Sequence, residues 1–293
     1  MGASRERHVF RGIGIAILAV AVMIGVVYWA GKILRPAPTP PSQLCWAQVG
    51  GDSTYLEPDQ ARNASIIAAV AAQRDLVARA TTIGLATAIQ ESGLRALDYG
   101  DRDSLGLFQQ RPSMGWGTAE EVQDPYYSSG KFFEVMETVD GWQTADIGDV
   151  AQEVQRSGFP DAYDDHVDEA RLLASALSGQ TPQAWSCVVR DLAAPDPDRL
   201  ATALTQGYGA RLEVQTVPAG ESTSAQLKLS APSDAIAWSA AAFAQSWATI
   251  TGVASVSVGS HQWTAAADKL PQWTTDSTNA QPTTAVTVTF RTS

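Results

Sequence analysis

Two short stretches hold the residues best suited to chemistry. The first, Ala88-Ile-Gln-Glu91-Ser92-Gly93, ends an alanine-rich helical pattern, and the second is Ser104-Leu-Gly106-Leu-Phe108-Gln109-Gln-Arg-Pro112. Gly93 suits the left-handed residue that follows a helix, which puts Glu91 in the last turn. There the negative end of the helix dipole disfavours a carboxylate. Ile89, Leu107 and Phe108 would desolvate it, which pushes the same way. A carboxyl group so placed keeps its proton above the ordinary value of about 4.3 and can act as a general acid. A solvent-exposed glutamate there would only weaken the helix, and a residue that breaks a local rule is where function is expected. Asp98, Asp101 and Asp103 crowd the intervening loop around Arg102. They are either partners in acid–base chemistry or solvated loop acids. His8, His166 and His261 stand apart from one another and from Cys45 and Cys187, so no metal site and no cofactor is expected.

Taken together, Glu91-Ser92 and Gly106-Leu-Phe108-Gln109 resemble the lysozyme-like superfamily, near the soluble lytic transglycosylases and goose-type lysozymes. Those proteins carry a Glu-Ser pair at a helix end and a Gly-Leu-Met-Gln motif about one hairpin later; here Phe108 replaces the methionine. Trp116 in Gly-Trp-Gly and the run Ala151-Gln-Glu-Val-Gln155-Arg-Ser157 bring the resemblance closest to an actinobacterial, membrane-anchored branch, and it covers about residues 80–170. The resemblance implies cleavage of the β-1,4 bond between N-acetylmuramic acid and N-acetylglucosamine in peptidoglycan, with Glu91 as the catalytic residue. It also implies that Gln109 and Phe108 meet the substrate near the scissile sugar, and that Ser92 either orients the glutamate or simply caps the helix. The family's third motif, Ala-Tyr-Asn-x-Gly, survives only as Ala162-Tyr163-Asp164, which offers Tyr163 as a substrate contact. Trp116 and Tyr126 are either sugar-stacking aromatics or core residues. Likeness to the transglycosylases implies one carboxylate serving as acid and then base, with 1,6-anhydromuramoyl products. A hydrolase of the two-carboxylate type would instead need Asp98, Asp101 or Asp103 about 5–9.5 Å from Glu91. Two rival readings stand beside this one: a catalytically silent glycan-binding or scaffold component of an envelope secretion or conjugation machine, and an enzyme on another β-1,4-linked amino sugar such as chitin.

The elements that must position these groups are read from periodicity and stop signals. A helix is expected over 65–91, then an irregular loop or hairpin over 94–112. Further helices are expected at 118–123, where Thr118 and Glu121 form a capping box, and at 125–139, 146–157 and 161–178, with Gly158 and Gly179 as stops. Ala193-Ala-Pro-Asp-Pro197 opens a different composition. A short helix to about 206, strands at 211–217 and 225–231, an amphipathic helix at 233–250 and strands at 253–258 and 284–290 follow. The expected fold class is α+β: an N-terminal transmembrane helix, a mostly helical lysozyme-like domain over 44–190, and a small α-β-β-α-β-β domain over 191–293. Asp234, His261 and Asp268 form no catalytic set there. Trp238, Trp247, Trp263 and Trp273 build its core, and it reads as an accessory module for an envelope protein partner or the wall.

Composition bounds the rest. The chain has 293 residues, a hydrophobic share of 45%, nine tryptophans and a net charge of −11. Residues 1–35 carry five basic groups against one acid, leaving 15 basic and 30 acidic residues beyond them. So acidic a body is a poor partner for nucleic acid, which needs clustered Lys and Arg. Gly12 to Gly31 is a run of twenty uncharged residues, enough to span a bilayer core of roughly 30 Å. It reads as a membrane anchor over 12–31, with Tyr28 and Trp29 at the interface; a cleaved signal peptide is the alternative. A cytoplasmic tail over 1–11 and a proline-rich spacer over 32–43 complete the expected order, with everything beyond about 32 outside the cytoplasm. There, Cys45 and Cys187 are either one disulfide tying the ends of a domain or two buried thiols.

Overall fold

The computed structural model describes residues 43–156, 160–275 and 282–292. The chain enters as strand β1 (Cys45–Val49), turns through Gly50-Gly51 and returns as β2 (Asp52–Leu56), with Val49 opposite Asp52. A Gly-Gly pair between two short runs is a hairpin signal, and Gly50 takes the left-handed backbone at φ 61°. Helices α1 (Pro58–Gln73) and α2 (Ala78–Ser92) follow, so the single helix expected over 65–91 is two. The break has a local cause. Asp75 stands at φ 61°, and the Leu76 amide donates back to the Ala71 carbonyl. That closure ends a helix, and Asp is among the few side chains that tolerate the left-handed well.

Next come α3 (Ala119–Gln123), α4 (Pro125–Met136), α5 (Ile147–Gln155), a 3-10 segment over Pro160–His166, and α6 (Val167–Leu177). The Thr118–Glu121 capping box is present, each side chain meeting the other residue's backbone amide. Strand β3 (Trp185–Cys187) then returns to pair with β1, giving an antiparallel sheet of order β2-β1-β3. Its register sets Cys45 directly opposite Cys187, and the two are joined in a disulfide across 142 residues of chain. The helical part is thus closed at its two ends by a small sheet that the sequence periodicity did not suggest.

Beyond residue 196 lie α7 (Pro197–Tyr208), β4 (Glu213–Val217), β5 (Gln226–Ser230), α8 (Asp234–Ser246), the short α9 (Ala248–Thr251), β6 (Val253–Val258), β7 (His261–Thr264), β8 (Thr274–Thr275) and β9 (Ala285–Phe290). All pairings are antiparallel, in the order β4-β5-β9-β6-β7-β8. The expected α-β-β-α-β-β order therefore lacks β7 and β8. Trp238 and Trp263 are buried as expected. The core is shared across the two parts: one cluster of buried side chains runs from Ala61 on α1 to Phe290 on β9. Polar ties cross the same seam. The indoles of Trp185 and Trp263 donate to Ser246 and Ser186, and the Ser239 hydroxyl donates to the Leu177 carbonyl at 2.7 Å.

The α+β class therefore holds for the described residues, with two antiparallel sheets, but the transmembrane helix expected as part of it is corrected. No helix among the described residues is long and apolar enough to cross a membrane. The longest, α1, has 16 residues and carries Asp59 and Arg62; at about 1.5 Å per residue it falls short of a bilayer core of roughly 30 Å. The run 12–31 lies outside the described residues, as do the 1–11 tail, almost all of the 32–43 spacer, and Gly158.

A disulfide that closes so long a loop restricts the unfolded chain strongly, and removing a native one costs about 2–5 kcal/mol. Cys45→Ser with Cys187→Ser should lower the denaturant midpoint by a corresponding amount. Protein kept under non-reducing conditions should show no alkylatable thiol. An unchanged midpoint would mean that the β1–β3 pairing holds the ends without the bond.

Candidate functional site

Helix α2 is buried almost without interruption from Ala80 to Ala88. Its last turn emerges from the core carrying Glu91 and Ser92, and Gly93 ends it at φ 61° with its amide bonded to the Ile89 carbonyl. The carbonyls released beyond the end are taken by α1: the Gln60 and Asn63 amides donate to Gly93 and Leu94 at 2.9 and 2.8 Å. The end of α2 is therefore held in place before any partner in the site is counted.

The segment after it is a compact hairpin, with bridges joining Leu97 to Gly106 and Leu105 to Gln110. Gly106 has φ 76°, and a Cβ there would come within 2.0 Å of the Val122 carbonyl oxygen. Only glycine fits where the hairpin presses on the end of α3. Phe108 is fully buried and stacks on Phe132 with ring centroids 4.6 Å apart. It anchors the hairpin to α4, which corrects the expectation of a substrate contact. Ser92 is the clasp between helix and hairpin. Its hydroxyl lies 2.7 Å from the Leu107 carbonyl and 3.0 Å from that of Ala88, and it accepts from the Arg95 amide. It orients the segment that carries Glu91 rather than touching the carboxyl group.

Glu91 is half-buried. Desolvation is the largest influence on it and raises its pKa above the usual 4.5; hydrogen bonds from Tyr163 and Gln155 pull the other way without cancelling it. The Tyr163 hydroxyl donates to Oε1 at 2.5 Å. Tyr163 itself is fully buried, so it positions the acid and is no sugar platform. Gln155, at the end of α5, also donates to the Phe108 carbonyl at 2.7 Å and so joins acid, hairpin and helix.

Glu91, Gln109, Trp116 and Gln155 line one open cleft of about 760 Å³. The half-buried Trp116 keeps the role of a stacking platform available. The Gln109 amide donates within its own loop, to the carbonyls of Tyr99 and Gly106 at 3.2 and 3.3 Å. Tyr126 sits elsewhere: its hydroxyl donates to the Ala203 carbonyl on α7, and burial pushes its pKa up. Of the three loop acids, Asp103 is committed to structure. It accepts from the Ser113 amide and hydroxyl and from Arg111, and these bonds hold it far below the usual carboxylate range. Asp101 lies at the cleft with its side chain 90% exposed, 3.8 Å from Arg102. Asp98 does not line the cleft. No group of three or more metal-ligating side chains occurs among the described residues. Gln155 stands in the sequence only as part of the run 151–157, without a role, because its contacts with residues 91 and 108 exist only once α5 has packed.

In comparisons with known proteins, no family model matches the chain, and no curated protein matches it.

Two outcomes follow from this geometry. Ser92→Ala leaves the Leu107 carbonyl without its hydroxyl partner, a loss of about 1–3 kcal/mol that thermal denaturation should detect; no loss would mean that Phe108 packing and the Gln155 bond hold the hairpin without it. Because the native pKa of Glu91 is raised, the folded protein keeps a proton that the unfolded chain has released. The stability this group contributes is present at low pH and fades as pH rises through the raised value. Glu91→Gln is neutral throughout, so its Tm advantage over the parent should grow as pH rises from the ordinary 4.5 through the raised Glu91 value. A constant difference would mean that burial does not perturb the carboxyl group.

Proposed function

We propose that the protein cleaves peptidoglycan glycan strands outside the cytoplasm, as a single-carboxylate lytic transglycosylase of the lysozyme-like kind. The observation that carries the reading is Glu91: a half-buried carboxyl group with a raised pKa, hydrogen-bonded by Tyr163 and opening into a cleft beside Trp116. A carboxylic acid kept neutral by its surroundings is what protonation of a glycosidic oxygen requires. The disulfide supports a location outside the reducing cytoplasm.

The chemistry needs one group. With Tyr163 donating to Oε1, the proton is favoured on Oε2. Glu91 gives it to the oxygen leaving C1 of the muramic acid, and the bond between C1 and that oxygen breaks. The substrate's own acetamido oxygen stabilises the cationic C1. The ionised Glu91 then takes the proton from the same sugar's 6-hydroxyl as O6 bonds to C1, so the acid is regenerated and no water is consumed. Asp101 is the only other acid among the described residues that line the cleft. Its solvation and its approach to Arg102 favour this route over one that needs a second, poised carboxylate.

Glu91→Gln should lower release of soluble fragments from purified sacculi by about 10²–10⁴-fold. The fragments from the parent protein should carry 1,6-anhydromuramoyl ends, one water lighter than reducing ends by mass spectrometry. Hydrated ends would make the enzyme a hydrolase, binding without release would make it a scaffold, and equal digestion of chitin would widen its substrate. Activity should fall as pH rises through the Glu91 pKa. Tyr163→Phe removes a bond that favours the ionised form, so that limb should move to higher pH. An unmoved limb would leave Tyr163 a packing residue.

A further inference from the structure

The charge of the cleft is opposite to that of the chain. Acidic residues outnumber basic ones by 31 to 20 overall, yet Arg102, Arg111, Lys131 and Arg156 face the cleft against only Glu91 and Asp101. Two of the four cations are already committed: Arg111 to Asp103 at 2.9 Å and Lys131 to Glu134 at 3.0 Å. The other two are available. Arg102 is 3.8 Å from Asp101, with both side chains largely in solvent. Arg156 makes no ion pair among the described residues.

The backbone marks the same two residues, together with Gln109. Among the described residues, six other than glycine adopt positive φ, and three of them line this cleft: Arg102 at 56°, Gln109 at 47° and Arg156 at 52°. Arg156 is the left-handed cap of α5, a position where glycine is ordinarily the least strained residue. Strained conformations gather where function over-determines them. An arginine at a glycine position, lining a cleft and without an acid partner among the described residues, is best explained by what its guanidinium meets from outside.

We propose that Arg102 and Arg156 form a carboxylate subsite beside Glu91, holding carboxylates borne by the glycan substrate. The assignment rests on the peptidoglycan reading above and deepens it. The lactyl carboxyl group of muramic acid is free where no peptide is attached and is consumed in an amide bond where one is, and the attached peptides end in free carboxylates of their own, whereas a neutral amino-sugar polymer carries none. A guanidinium is the side chain best matched to a carboxylate, through two parallel N–H donors in one plane. With this subsite the protein selects strands whose carboxylates are free over strands in which they are blocked.

Glycine substitution separates a ligand role from a structural one, because it suits the observed backbone while removing the charge. Arg102→Gly and Arg156→Gly should keep or raise Tm. Each should weaken binding of soluble peptide-bearing glycan fragments by about tenfold, measured by calorimetry with the full chain. Fragments with their carboxyl groups converted to amides should bind the parent and the variants equally weakly. Equal binding of free and amidated fragments by the parent, or variants that bind like the parent, would overturn the subsite. So would competition by inorganic phosphate together with indifference to amidation, since the site would then recognise phosphate. Fragment release is scored in parallel. Charge-dependent binding without release keeps the subsite and rejects the catalytic reading, whereas release indifferent to carboxyl blocking keeps the catalytic reading and rejects the subsite.

Discussion

A carboxyl group drawn half out of water at the negative end of a helix is unfavourable, and much of the surrounding structure is arranged to tolerate it. The helix that carries Glu91 is buried through its middle and emerges only in its last turn. Tyr163 and Gln155 reach the carboxyl group from the 3-10 segment and from α5 and supply hydrogen bonds, yet desolvation still outweighs them. The balance leaves an acid that is anchored without being stabilised as an anion. Such a balance of burial against hydrogen bonding is how a carboxyl group is kept protonated above its ordinary range.

Anchoring depends on contacts from distant parts of the chain. Ser92 binds the hairpin through the Leu107 carbonyl, Phe108 roots that hairpin on Phe132, and α1 takes the carbonyls beyond the helix end. Farther out, β1 and β3 join the first and last strands of the helical part through the Cys45–Cys187 bond. The six-stranded sheet packs against the same core. Residues 191–293 are therefore built into the frame that supports the site, and a change at that seam, such as at Ser239 or Trp185, would be felt in the helical part.

Local signals in the sequence were legible where the chain itself determines structure. Gly93 as a helix stop, the Thr118–Glu121 box and the glutamate in the last turn all rest on contacts within a few residues. The cysteine pairing was one of two readings, and the structure decides it. What escaped was non-local. The sheet formed by β1, β2 and β3 needs strands more than a hundred residues apart, and β3 has only three residues. The break between α1 and α2 hides in a left-handed Asp75 without a glycine to mark it. Phe108 and Tyr163 were placed near the site by motif, but their burial turns one into an anchor and the other into a positioning residue. Arg102 and Arg156 were visible only as members of a charged loop and of a helical run, because a left-handed backbone at an arginine cannot be distinguished by composition or spacing.

The role of Glu91 is tested most directly by its own titration, followed by the carbon-13 shift of its side-chain carboxyl group and assigned by its loss in Glu91→Gln. The midpoint should lie above the ordinary 4.5 and move higher again in Tyr163→Phe. A midpoint at or below 4.5 would mean that the carboxyl group is ionised like any surface glutamate, and that the cleft does not hold a general acid there.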